Sequence, residues 1–157
     1  LNLQLIILGT GDKKTELALK SLEKKHADKL KVYLEFDEKL AHLIEAGSDI
    51  YLMPSLFEPC GLNQMYALKY GTPPVVHKVG GLADTIIDYN EKAEEGTGFV
   101  FDDFKSGAMM QSIERAIKLF GKKRKWTKLM KNGMKQDFSW DKSAQKYSEL
   151  FEAMVKT

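Results

Sequence analysis

The run Pro54-Ser55-Leu56-Phe57-Glu58-Pro59-Cys60-Gly61-Leu62-Asn63-Gln64-Met65-Tyr66 sets a carboxylate, a thiol and a glycine between a strand pattern and a helix pattern. The apolar residues Ile50 to Met53 read as the end of a buried strand, the two prolines as a sharp turn, and Gly61 as the opening of a helix. The leading N–H groups of a helix have no partner inside it and stand at the positive end of its dipole, so they attract phosphate. Glu58, on the turn, can accept hydrogen bonds from sugar hydroxyls. Together these features suit a ligand that is both anionic and rich in hydroxyls, and a nucleotide sugar is both.

Each candidate also has a plainer reading. Glu58 by itself can be an exposed turn residue or a helix cap. Cys60, Gly61, Leu62 and Asn63 can form an ordinary helix start, although a glycine there lets the backbone approach a ligand closely. Cys60 is not read as a nucleophile, because no histidine lies near it in sequence and no base is identifiable. The Gly9-Thr10-Gly11-Asp12 loop lacks the third glycine of a dinucleotide fingerprint, and serves equally as a tight turn with Asp12 capping the next helix. Gly80-Gly81 is equally ambiguous by itself, and its place after the fourth strand fits a loop passing close to a ligand's phosphates. Phe36, placed at the end of a strand, offers a ring that can stack on a base or pack in the core. Tyr66 is read as a core residue on its helix.

The elements that must position these residues alternate. Apolar, β-branched runs occur at Leu3 to Leu8, Lys31 to Phe36, Asp49 to Met53, Pro74 to Val79 and Thr97 to Phe101. Helical patterns separate them at Lys13 to His26, Glu38 to Ala46, Gly61 to Tyr70 and Leu82 to Asn90, and all-helical patterns follow at Ser106 to Phe120, Lys122 to Asn132 and Ser139 to Lys156. This alternation implies an α/β fold, a doubly wound parallel sheet covered on both faces, with extra helices at the carboxyl end. Ligands of such sheets bind beyond the carboxyl ends of the strands, where the loops containing Gly9, Phe36, Glu58 and Gly80 all fall.

Composition narrows the classes. At 157 residues the chain has the length of one domain, and 43% hydrophobic with 29% charged residues is ordinary for a globular protein. A net charge of +2 demands no nucleic-acid partner, and no apolar run reaches a membrane span. One cysteine cannot form an internal disulfide, which points to the cytoplasm. His26, His42 and His77 have no paired metal spacing, so no metal and no cofactor is expected and the three are read as structural or solvated. The basic run Lys122-Lys123-Arg124-Lys125-Trp126 is read as a solvated face. In Asp137-Phe138-Ser139-Trp140, Ser139 is expected to cap the last helix while the aromatic residues pack it down.

The spelling Phe57-Glu58-Pro59-Cys60-Gly61-Leu62-Asn63-Gln64-Met65-Tyr66-Ala67-Leu68-Lys69-Tyr70-Gly71-Thr72, continuing to Gly80-Gly81-Leu82-Ala83-Asp84-Thr85, resembles glycogen and starch synthases, from about Leu8 to about Trp140. The resemblance implies the carboxyl-terminal Rossmann-like domain of a two-domain GT-B glucosyltransferase, incomplete at its amino-terminal edge and lacking its partner acceptor domain. It implies transfer of glucose from ADP-glucose, or UDP-glucose, to the nonreducing end of an α-1,4-glucan with retention, in the cytoplasm, or in a plastid if the source is a plant. Glu58 would then contact the transferred glucose, Phe36 would stack on the base, and the amides of Cys60 to Asn63, with Gly9, Gly11, Gly80 and Gly81, would line the donor. Related enzymes hold the ribose with a second glutamate eight positions after the first, where this chain has Tyr66. A cationic Arg and Lys pair that clamps the diphosphate would precede Leu1.

Two other readings fit the same residues. One is another two-domain nucleotide-sugar glycosyltransferase or an epimerase. The other is a noncatalytic nucleotide- or glucan-binding module that reuses the fold.

Overall fold

Short apolar runs cannot bury both faces unless helices cover them, and the chain supplies a helix after every described strand. The computed structural model describes residues 1–155; the end of the helix expected to reach Lys156 lies outside them. The chain divides into two compact units, Leu1–Gly47 and Ser48–Thr157.

In the first unit, β1 (Leu5–Leu8) and β2 (Leu30–Tyr33) pair in parallel, with Leu5 opposite Leu30 and Leu8 opposite Tyr33. Helix α1 (Lys13–Lys25) joins them and α2 (Glu38–Gly47) follows. Asp12 caps α1 as expected, accepting from the amides of Lys14 at 3.1 Å and Thr15 at 3.0 Å. From the last turn of α1, Glu23 accepts from the Val32 amide at 3.1 Å and pairs with Lys20 at 2.9 Å and Lys31 at 3.0 Å. Those contacts, led by the Lys20 hydrogen bond, lower its pKa from 4.5 to about 2. Strand β2 stops at Tyr33 rather than Phe36, because residues 34–37 turn and Asp37 accepts from the Leu40 amide at 2.9 Å to start α2.

The second unit contains β3 (Tyr51–Met53), α3 (Asn63–Tyr70), β4 (Pro74–His77), α4 (Gly80–Thr85), β5 (Phe99–Phe101), α5 (Ser106–Phe120), α6 (Lys123–Met134) and α7 (Trp140–Val155). Its sheet is parallel, in the order β3-β4-β5. Every residue of the central strand β4 is buried, as a parallel strand covered on both faces requires. Successive side chains take opposite faces, so Val75 joins Phe99, Trp126 and Leu129 in one cluster while Val76 joins Leu68, Leu82 and Ile86 in another. Among the described residues the strands thus pair in three parallel ladders, β1-β2 in the first unit and β3-β4 and β4-β5 in the second.

Three expectations are corrected. The helix expected at Leu82 to Asn90 occupies Gly80–Thr85 instead, because Ile86 turns extended and Asp88 and Asn90 form bridges with Gly98 and Glu95. The basic run that opens α6 is not simply solvated. Lys122 and Lys125 hold Glu91, Arg124 holds Glu94 at 2.6 Å, and these pairs pin the 86–98 segment. Ser139 does cap α7, its Oγ accepting from the Lys142 amide at 3.4 Å, but Trp140 is 87% exposed, so it does not pack the helix down.

Candidate functional site

The Glu58 segment leaves β3 at its carboxyl end and turns through residues 54–62 before α3 begins. The helix starts at Asn63, two residues later than the sequence pattern indicates, because Gly61 has φ +73°, a left-handed value that helices exclude. Glu58 is partly buried, with Ser55 Oγ 3.4 Å from its Oε2. Cys60 is an exposed free thiol whose Sγ lies 3.6 Å from the Gly61 carbonyl. Leu62 is 53% exposed, and Asn63 donates to the Tyr51 hydroxyl at 3.3 Å.

The double glycine opens α4 rather than lying in a loop, and it packs directly on this turn. The Gly81 amide donates to the Glu58 carbonyl at 3.0 Å. A Cβ on Gly81 would collide with the Cys60 carbonyl, and one on Gly80 with the Glu58 carbonyl. Glycine is needed here for the close approach of two backbones, so the structure brings Glu58, Cys60, Gly61, Gly80 and Gly81 into one assembly.

Gly9, Gly11 and Phe36 belong to the first unit. Both glycine amides are occupied within the protein, that of Gly9 by the Tyr33 carbonyl at 3.0 Å and that of Gly11 by Glu16 Oε1 at 3.0 Å. Phe36 lies past the end of β2 with its ring 93% exposed, open to a flat partner and outside any core. Tyr66, expected in the core, is 39% exposed.

Two polar residues support the site, Gln64, to which the sequence analysis gives no role, and His77. Gln64 is wholly buried, and its Nε2 donates to the carbonyls of Cys60 and Gly61, both at 3.0 Å. Its signal was available, since Gln64 shares the buried face of α3 with Ala67 and Leu68 at helical spacing. His77, read as structural or solvated, is structural: its Nδ1 lies 2.8 Å from the Ser55 carbonyl and its Nε2 3.2 Å from the Asp102 carbonyl, between the rings of Phe101 and Phe104. It ties the start of the Glu58 turn to the end of β5.

A shallow concavity of about 430 Å³, lined by Ser48, Asp49, Phe120, Lys123, Trp126 and Met130 among others, contains none of these residues. Among the described residues no group of three or more His, Cys, Asp or Glu is placed to hold a metal, and no helix is long and apolar enough to cross a membrane. The chemistry available at the Glu58 assembly is therefore that of an acceptor carboxylate near the Gly61 and Leu62 amides, which donate to no group among the described residues, a set suited to seating hydroxyls and an anion together.

Residues 1–133 match the family described as Glycosyl transferases group 1. The glycogen synthase of Hydrogenovibrio crunogenus is 50% identical over 157 residues, which cover 98% of this chain and 32% of that protein. That of Lactobacillus acidophilus is 49% identical over 154 residues, with the same shares. The catalytic domain of starch synthase IV from Arabidopsis thaliana, solved bound to ADP and acarbose, superposes with a TM-score of 0.84 at 34% identity, over 98% of this chain and 33% of that one. The chain thus spans about a third of the length of the relatives it matches. The α/β, Rossmann-like GT-B reading holds, with parallel strands and flanking helices shared with that starch synthase. With a family match over most of its length and half its residues identical to those of a glycogen synthase, the chain belongs to the group 1 glycosyl transferases.

Proposed function

We propose that residues 1–157 are the donor-binding, carboxyl-terminal domain of a glycogen or starch synthase, incomplete at its amino-terminal edge, and that the whole protein transfers glucose from ADP-glucose to the nonreducing end of an α-1,4-glucan with retention. The observation that carries this reading is the Glu58 turn seated on Gly80 and Gly81, which joins a carboxylate to a helix start. Similarity to glycogen synthases along nearly the whole chain supports the choice of substrate class. The ADP in the Arabidopsis starch synthase structure supports the choice of base, with UDP-glucose the alternative donor.

Breaking the donor's glycosidic bond leaves positive charge on the sugar ring and negative charge on the departing diphosphate. Amides fixed at Gly61 to Asn63 stabilise that anion without having to reorganise as it forms. Glu58 accepts from the glucose hydroxyls and orients the ring, a charge-assisted bond typically worth about 1.5–3 kcal/mol. Phe36 stacks on the base. Because these residues span about a third of the length of their relatives, the cation clamp on the diphosphate and the acceptor site are assigned to the remainder, and residues 1–157 alone should bind donor weakly and transfer nothing. The proposed setting is the cytoplasm, or a plastid in a plant, with no metal or other cofactor.

Calorimetric titration of the full-length protein with ADP, UDP, GDP and ADP-glucose tests the reading. ADP should bind preferentially, and Glu58→Ala should remove the extra affinity of ADP-glucose over ADP while leaving ADP itself bound. Absence of nucleotide binding, or glucosyl transfer unaffected by Glu58→Ala, would overturn it.

A further inference from the structure

Gln64 is 0% exposed, so its carboxamide has only protein groups to bond with. Its Nε2 donates to the carbonyls of Cys60 and Gly61 and sits 3.2 Å from the Thr85 hydroxyl, which itself donates to the Gly81 carbonyl at 2.6 Å. Its Oε1 is buried without a hydrogen-bond partner. Rotating the amide by half a turn would instead aim that oxygen at two carbonyl oxygens, so the surroundings fix the orientation at the expense of one unmatched acceptor.

The position of those carbonyls dictates where the neighbouring amides point. In a trans peptide the C=O of one residue and the N–H of the next are antiparallel, and no cis peptide bond occurs among the described residues. Drawing the Cys60 and Gly61 carbonyls inward onto Gln64 therefore turns the N–H groups of Gly61 and Leu62 the other way. Among the described residues neither N–H donates to another protein group. Gly61 at φ +73° followed by Leu62 at φ −110°, ψ −35° is a left-handed then right-handed pair, the backbone form that gathers successive amides into an anion-binding concavity. A Cβ on Gly61 would strike Gln64 Oε1, so the glycine and the glutamine depend on each other.

We propose that Gln64 is a positioning residue for the donor diphosphate. It touches no ligand; it holds the Cys60–Gly61 turn so that two consecutive amides face the anion, and Thr85 braces it from α4. This inference rests on the donor-binding reading above and adds a residue and a mechanism to it.

The test uses the full-length protein with ADP and adenosine, or UDP and uridine if the wild type prefers that base, against Gln64→Met and Thr85→Val. Gln64→Met should weaken the nucleoside diphosphate by about tenfold, the scale of a lost charge-assisted hydrogen bond, while nucleoside affinity stays within about twofold. Thr85→Val should move the same ratio in the same direction by less, and it carries the test if Gln64→Met does not fold. Diphosphate and nucleoside affinities that fall together, or a ratio that does not move, would overturn the proposal while leaving the donor reading intact. A wild type that binds neither diphosphate would overturn both.

Discussion

The two units hold parallel strands by different means. Ser48–Thr157 has two hydrocarbon clusters, one on each face of β4. In Leu1–Gly47, Val32 is the fully buried apolar residue, and Leu5 and Ile6 of β1 are 38% and 46% exposed. There the link between helix and strand includes a polar clasp, in which Glu23 accepts from the Val32 amide and pairs with Lys20 and Lys31 while Lys20 donates to the Val32 carbonyl at 2.6 Å. Burial is insensitive to pH and severe when cut, whereas a charged clasp is pH-sensitive and mild when cut. The Glu58 turn is built on the first kind of support and Phe36 extends from the second.

The strongest way to break the comparison is in the hydrocarbon. Phe99→Ala should cost the Ser48–Thr157 unit about 3–5 kcal/mol in denaturant unfolding; a loss no larger than that from altering Glu23 would erase the distinction. Next, Gly81→Ala drives a methyl into the Cys60 carbonyl and should cost about 1–3 kcal/mol together with donor affinity. Gly11→Ala, which meets open space in the other unit, should stay within about 0.5 kcal/mol.

A smaller effect separates the units by pH. The folded pKa of Glu23, about 2, lies below its ordinary 4.5, so its stabilisation is complete above about 4.5 and disappears as pH falls toward 2. Hydrogen exchange at the Val32 amide should rise across that window relative to amides of β4, and Glu23→Gln should abolish the difference by losing the protection already at neutral pH. A modest effect is expected from Ser139→Ala, about 0.5–1 kcal/mol of α7 stability, at the low end for a cap because the Oγ-to-amide distance is 3.4 Å.

What was legible in the sequence was local. Helix α5 matches its expected bounds, Ser106 to Phe120, because its apolar spacing and its flanking residues agree. The turn around Glu58 was also readable, from two prolines and a glycine in one short stretch. The misses came from partners far along the chain. Helical spacing continues past Thr85, but Asp88 pairs instead with Gly98 and the Val100 amide. The basic run looked solvated because Glu91, 31 positions before Lys122, is not adjacent to it in sequence. Gln64 was spelled out within the motif, yet only its burial reveals that it acts on the turn behind it rather than on solvent.

Strand β4 is hemmed in on four sides, with β3 and β5 on its edges and hydrocarbon on both faces. Gly80 and Gly81 leave its carboxyl end within four residues, and the Glu58 turn rests on them. The amides of that turn are therefore held still before any ligand arrives. A receptor ordered in advance surrenders little entropy on association, so diphosphate binding at this turn should show a smaller entropic penalty than base binding at the exposed ring of Phe36.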